Sequence, residues 1–186
     1  GRFFADNPIP RDVATLVSFA GPLAPFYGAN QNLPDGTIMR ATFAPTAELR
    51  RKSKVSGSLS TVEQPVDLDE TGKAAVITTA IALGVDASNA KAYSLGCGMV
   101  LIPDPDRRLT LTGEKDALGL PRLKLDMRIA DEDFIRFNRT MTELGRQLLA
   151  SKAGMLRINC HTREDWMSRM DWGHHHLGTT RMSADP

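Results

Sequence analysis

The 186-residue sequence lacks several features that would assign it quickly. Its two cysteines, Cys97 and Cys160, are too few for a disulfide framework. No apolar run approaches the roughly 20 residues of a membrane span. The N-terminus lacks the basic-then-apolar order of a signal peptide. No basic block is present either: 23 Lys and Arg are interspersed with 22 Asp and Glu, for a net charge of +1. Nucleic-acid binding needs clustered positive charge, so that function class is set aside. Also absent is a Gly-x-Gly-x-x-Gly phosphate loop. Gly96-Cys97-Gly98 has the first two glycines and no third at the required spacing.

What is present reads as one soluble domain over 1–186. Hydrophobic residues make up 41% and charged residues 24%, ordinary values for a chain long enough to bury a sizeable core. The two cysteines read as small buried thiols. Cys160-His161 would make a metal or thiol site only if His174–His176 folded back to complete it.

Strands and helices alternate without an internal repeat. Residues 12–19 read as a strand ended by Gly21-Pro22 and Pro25, and 26–36 as a polar loop. Thr37 to Phe43 is strand-like, Thr46 to Lys52 a short helix, and Val55 to Val62 a strand. Glu63 to Lys73 reads as a connection. Ala74 to Leu83 reads equally as a buried strand, from Val76-Ile77-Thr78-Thr79, or a short helix, from Ala80 and Ala82. Ala92 to Ile102 is a strand with a bulge or a close backbone neighbour at Gly96 and Gly98.

The second half is more sharply patterned. Leu109 and Leu111 alternate with polar residues, as do Leu123, Leu125, Met127 and Ile129, predicting two half-buried strands paired antiparallel. Asp131-Glu132-Asp133 starts a helix, with its carboxylates at the positive end of the dipole. Phe134, Phe137, Met141, Leu144 and Leu148 form its buried stripe. Gly154 is expected to stop that helix before a strand over Met155 to Ile158. The sum is an α+β domain: a mainly antiparallel sheet covered on one side by helices.

The chemical signal is concentrated in His174-His175-His176-Leu177-Gly178-Thr179-Thr180-Arg181-Met182. An imidazole, with its unperturbed pKa of roughly 6.5, exchanges protons near neutrality. Gly178 permits close backbone approach beside it. This run resembles the C-terminal signature of the glucose-methanol-choline (GMC) flavin-dependent oxidoreductases. In them a catalytic His stands three residues before the Gly of a Gly-Thr pair. His175, His176, Gly178, Thr179, Arg181, Met182, Asp185 and Pro186 fit the signature, and Ser183 stands where Gly is usual. Gly1-Arg2-Phe3-Phe4-Ala5-Asp6-Asn7-Pro8 is similar to a second family block, with Asn7 in place of His. Pro103-Asp104-Pro105-Asp106-Arg107-Arg108-Leu109-Thr110-Leu111 and Asp116-Ala117-Leu118-Gly119-Leu120-Pro121 resemble the bacterial sugar and polyol dehydrogenase branch. Val100 and Leu101 replace the Glu-Gln pair common there.

The resemblance implies the substrate-binding part of an enzyme that oxidises a CH–OH group of a sugar, sugar acid or polyol. Its FAD-binding Rossmann part is expected elsewhere in the same polypeptide, since the phosphate loop is missing here. The chain then reads as an excised central-to-C-terminal portion, with 173–186 beginning the active-site and flavin-facing segment. The resemblance makes His175 the base that takes the hydroxyl proton, with His176 lining the pocket. It puts Gly178, Thr179, Asn7 and Pro8 at the cofactor, FAD, with no metal. The source is expected to be the bacterial cytoplasm or periplasm. Two other readings compete. One is a metal site from His174, His176 and Asp185; imidazoles two apart on a strand share a side, though no His-Glu-x-x-His supports it. The other is a non-catalytic binding module, the literal description of a portion without its cofactor part.

Overall fold

Among the described residues, the most buried stretch is the first strand, 14–18. β1 (Ala14–Ser18) is buried along its whole length because antiparallel partners flank it on both edges. The computed structural model describes residues 12–21, 31–39, 42–55, 57–102, 104–126 and 128–170. In chain order, β1 is followed by β2 (Gln31–Asn32), β3 (Ile38–Met39), α1 (Ala47–Ser53), β4 (Ser58–Pro65), α2 (Glu70–Leu83) and β5 (Lys91–Met99). Then come β6 (Leu109–Lys115), β7 (Pro121–Leu125), α3 (Asp131–Ala150), β8 (Gly154–Ile158) and α4 (Arg163–Ser168). β4, β5, β1 and β8 form one antiparallel sheet in that order, while β2–β3 and β6–β7 are separate two-stranded pairs. The α+β architecture with a mainly antiparallel sheet is therefore the one observed.

Register and alternation sort the sheet into two faces. Leu16 pairs with Tyr93 on one edge and Leu156 on the other, so these three share a face with Ala14, Leu95 and Ile158. Against it lie α3, through Phe137 and Met141, and α4, through Trp166. Burying each of these large side chains contributes roughly 1.5–3 kcal/mol. They make up the helical layer read from the sequence. α2 adds a smaller cluster on the opposite face, where Val17 and Ala92 pack with Val76 and Met155.

The open choice at Ala74 to Leu83 resolves to helix. Asp69 starts it, its carboxylate accepting from Gly72 N at 2.7 Å, and Gly84, at φ +64°, closes it in the left-handed region. The helix consequently begins at Glu70, inside the stretch read as a connection. Thr46, read as the first residue of a short helix, stands one position before α1 and caps it, accepting from Leu49 N at 3.2 Å. Of the strand expected over Thr37 to Phe43, the described residues show Ile38–Met39 and one isolated bridge between Phe43 and Ser60. The buried stripe of α3 is as read: Phe137 and Met141 are fully buried, with Phe134, Leu144 and Leu148 packed beside them.

Two expectations are corrected. Gly154 does not terminate α3, which ends at Ala150 with Lys152 in the left-handed region. It opens β8 instead, where a Cβ would lie 2.1 Å from the Val17 carbonyl oxygen, so strand pairing demands glycine. The second correction is the hairpin. β6 and β7 pair antiparallel as read, with Leu109 opposite Leu125 and Leu111 opposite Leu123. They stand apart from the four-stranded sheet, however, and all four leucines are exposed rather than half-buried. Alternation reports that a strand has two unlike faces, not that another element covers the apolar one. No helix among the described residues is long and apolar enough to cross a membrane.

Candidate functional site

The residues that the sequence singles out for chemistry sit at the two ends of the chain. His175, His176, Gly178 and Thr179, with His174 and Asp185 of the competing metal reading, lie outside the described residues, as do Asn7 and Pro8. The described fold does establish where the two end segments leave it. Asp12 begins the described chain beside β1, and Arg169-Met170 ends it after α4. These ends meet. Arg169 Nη1 donates to the Asp12 carbonyl at 2.9 Å, and Asn159 Nδ2 donates to Asp12 Oδ1 at 2.9 Å and to Thr15 Oγ1 at 3.2 Å.

The local sequence explains this corner. Thr162 caps α4 by accepting from Asp165 N at 3.1 Å. Trp166 then turns inward, its ring centroid 5.4 Å from that of Phe137 and 5.6 Å from that of Phe134. With the helix rotation set by Trp166, Asp165 and Arg169 fall four residues apart on another side, where Arg169 Nε donates to Asp165 Oδ1 at 3.1 Å. That bond, followed by the His161 backbone N–H, holds the Asp165 carboxyl below the usual carboxylate range, and the same pairing raises Arg169. The guanidinium thus joins Asp165 on α4 to Asp12 at the start of β1. This is an anchoring arrangement rather than a reactive one.

Its consequence is geometric. His175 is six residues past Arg169 and Asn7 five before Asp12. A chain advances at most about 3.6 Å per residue, so neither tether can take its residue more than roughly 20 Å from the corner. The two end segments thus leave the described fold from one corner.

Cys160 and His161 border the same corner, and the thiol reading fails there. Cys160 is buried, and desolvation pushes its thiol up to about 11, so it is protonated and unreactive at neutral pH. Cys97 lies half-buried against the same apolar cluster, and the two cysteines are not joined in a disulfide, in agreement with their reading as core residues. No group of three His, Cys, Asp or Glu able to hold a metal occurs among the described residues.

The glycine pair of β5 is the place to test for a dinucleotide. Gly96 and Gly98 sit inside a continuous strand, opposite Thr61 and Leu59 of β4, and not at a strand-to-helix turn. A Cβ on Gly96 would meet Glu63 Oε1 at 2.7 Å and Thr61 Oγ1 at 3.1 Å. This is the close neighbour that the glycine required, and it is a carboxylate. A phosphate needs donors and positive potential, so the described residues do not fit the phosphates of FAD.

Two grooves run along α1 and α3. The larger, about 420 Å³, is floored by Phe43, Pro45, Leu49 and Leu144 and edged by Thr140 and Gln147. Two of its polar groups are committed elsewhere: the Thr140 hydroxyl donates to the Arg136 carbonyl at 2.8 Å, and Glu143 accepts from Arg146 at 2.7 Å. The smaller, about 380 Å³, lies between Ser53 and Asn138, Arg139 and Thr142. Neither brings together a base and a nucleophile.

Sequence reasoning missed the Asp12, Asn159, Asp165 and Arg169 corner. Thr162 followed three residues later by Asp165 is a cap signal for α4. Nothing local signals that positions 12, 159 and 169 meet, because that depends on β1 lying beside β8. No protein-family model matches this chain, and a comparison with curated proteins gives no similar sequence.

Proposed function

We propose that this chain is the substrate-binding portion of an FAD-dependent oxidoreductase of the GMC type, acting on the CH–OH group of a sugar, sugar acid or polyol. The observation that carries the reading is the run His175-His176-Leu177-Gly178-Thr179-Thr180-Arg181-Met182, a proton-transfer group at fixed spacing from a Gly-Thr pair. Two features of the fold support it. An antiparallel sheet backed by helices is the architecture that the resemblance implies. The Asp12–Arg169 bond also has the two end segments leave the described fold from one corner, which is compatible with a shared site. Since the described residues offer no phosphate cradle, the flavin belongs to another part of the polypeptide, which is then this domain's obligatory partner.

In this reading His175 holds the proton of the substrate hydroxyl, and His176 lines the pocket. Successive side chains alternate along an extended chain, so His174 is directed away from the substrate. The test is made in the polypeptide that carries this chain together with its flavin-binding part. His175→Ala should lower turnover on the order of 10²–10⁴-fold while flavin absorbance stays constant, and His174→Ala should matter far less. A benign His175→Ala, or tight flavin binding by residues 1–186 alone, would overturn the proposal.

A further inference from the structure

The near-balance of charge in this chain has one local exception. Arg50-Arg51-Lys52-Ser53-Lys54 carries four cations in five positions, and Glu48 is the one acid on the same helix, α1. All four cationic side chains are exposed, and none is in an ion pair among the described residues. The neighbouring acids of α3 are already engaged, Glu132 with Arg136 at 3.2 Å and Glu143 with Arg146 at 2.7 Å. Part of the run has a local purpose, because cations in the last turn of a helix complement its dipole. Lys54 goes beyond that purpose. It stands past the helix end at φ +50°, in the left-handed position that glycine ordinarily fills.

Exposed aliphatic side chains border this cationic ridge. Gly57 brings one of them close: a Cβ there would lie 3.6 Å from Arg50 Nη1 and 3.8 Å from Val100 Cγ2, and Val100 is 70% exposed. At the end of α1, Ser53 shares a groove with Arg139 and with Ile135, which is 41% exposed. The surface thus joins long cationic side chains held by no counter-charge to aliphatic groups open to solvent.

We propose that this surface is a peripheral attachment site for an anionic lipid bilayer, with α1 against the headgroups and Val100 and Ile135 at their margin. The charge is of one sign, so it selects an anionic partner. What the partner must do with the side chains then separates the candidates. An acidic protein has to fix four long side chains in one geometry, at an entropy cost for each, and Lys is depleted from protein interfaces accordingly. A fluid lipid surface asks for no fixed geometry and attracts the cations over a Debye length, about 8 Å at physiological salt. A nucleic acid meets the charge equally well but has no apolar layer to receive Val100 and Ile135. Each cation near an anionic bilayer strengthens attachment roughly fivefold, so the four together supply on the order of a few hundredfold. The attachment concerns where the molecule resides and does not depend on the chemistry at His175.

The test is co-sedimentation of the 186-residue chain with vesicles of phosphatidylcholine, alone or with roughly 40% phosphatidylglycerol, at about 0.05 M and about 0.5 M salt. The wild type should bind the anionic vesicles at low salt, leave them at high salt and ignore the neutral ones. Arg51→Gln/Lys54→Gln should lower the partition coefficient about 25-fold, fivefold for each cation. Lys115→Gln/Lys124→Gln removes the same net charge from exposed positions of the β6–β7 hairpin and should change it by less than about twofold. Val100→Gln should lower it by a smaller factor that salt does not alter. Melting should be the same in every variant, since all the altered side chains are exposed. Failure to bind the anionic vesicles, or equal losses in the two double variants, would overturn the proposal. So would tighter binding, at equal concentrations of negative charge, to a DNA duplex or to polyglutamate than to the vesicles.

Discussion

Replacing Asp133 with alanine should be among the most damaging single changes to this fold. Asp133 is 1% exposed, yet carries a charge that three donors satisfy: Ala130 N at 3.0 Å, Ile102 N at 2.9 Å and the Arg107 guanidinium. Arg107 is itself only 10% exposed. Removing the carboxylate leaves the nearly buried guanidinium with Asp104, 3.9 Å away, as its remaining counter-charge, a loss of up to about 3–5 kcal/mol. It also removes the acceptor for the backbone at the start of α3, worth about 0.5–2 kcal/mol when a cap is lost. Such overlapping losses are not additive, so about 4 kcal/mol is expected, a large fraction of the roughly 5–15 kcal/mol available to a domain. Arg107→Met should cost less, because the carboxylate keeps two backbone donors. The double variant Asp133→Ala/Arg107→Met should fall short of the sum of the singles by at least about 1 kcal/mol, since no charge is then stranded. Urea unfolding followed by the fluorescence of Trp166, which stacks on Phe137, reads all four corners of the cycle. A cost below about 1 kcal/mol for Asp133→Ala, or simple additivity, would refute the reasoning.

Phe137→Ala, at the centre of the apolar cluster, should destabilise by about 3–5 kcal/mol, whereas Leu125→Ala on the exposed hairpin should change monomer stability by less than about 1 kcal/mol; denaturant melts showing the opposite ranking would mean that the two burial assignments are exchanged. Cys160 should resist thiol reagents in the native state at pH 8 and react on unfolding. Its folded pKa, near 11, lies above the 9.0 of an exposed thiol, so its contribution to stability is complete below 9.0 and lost as pH rises towards 11, a decline that Cys160→Ala should remove. Asp165 behaves in the opposite sense. Its folded pKa is lowered by Arg169, so its contribution is present above the unfolded carboxylate range and lost as pH falls through the folded value; acid melts of Asp165→Asn should lack that part of the decline.

Much of the fold is legible in the sequence where a decision is made within a few residues. The stripe Phe134, Phe137, Met141, Leu144, Leu148 predicts α3 and its inward side, because a helix repeats every 3.6 residues whatever lies opposite. Thr46 announces α1 in the same way, since a cap bonds three residues on. At Ala74 to Leu83 periodicity is mute, as that stretch is apolar nearly all round. The deciding residues, Asp69 and Gly84, stand just outside it. Gly154 reads locally as a helix end, whereas its requirement comes from a carbonyl of β1, more than a hundred residues away in sequence.

The sequence by itself determined most of the local elements, the near-balance of charge, and the His175 motif on which the functional proposal rests. Tertiary structure decided what those local patterns could not express. It placed β1 between β5 and β8, and so brought Asp12, Asn159 and Arg169 together. It buried Asp133 against Arg107 and left the leucines of β6 and β7 uncovered, although their alternation is that of a half-buried strand. The physical reason is the range of the forces involved. Backbone hydrogen bonding and side-chain periodicity act over about four residues, while burial and charge pairing depend on which distant segment arrives opposite.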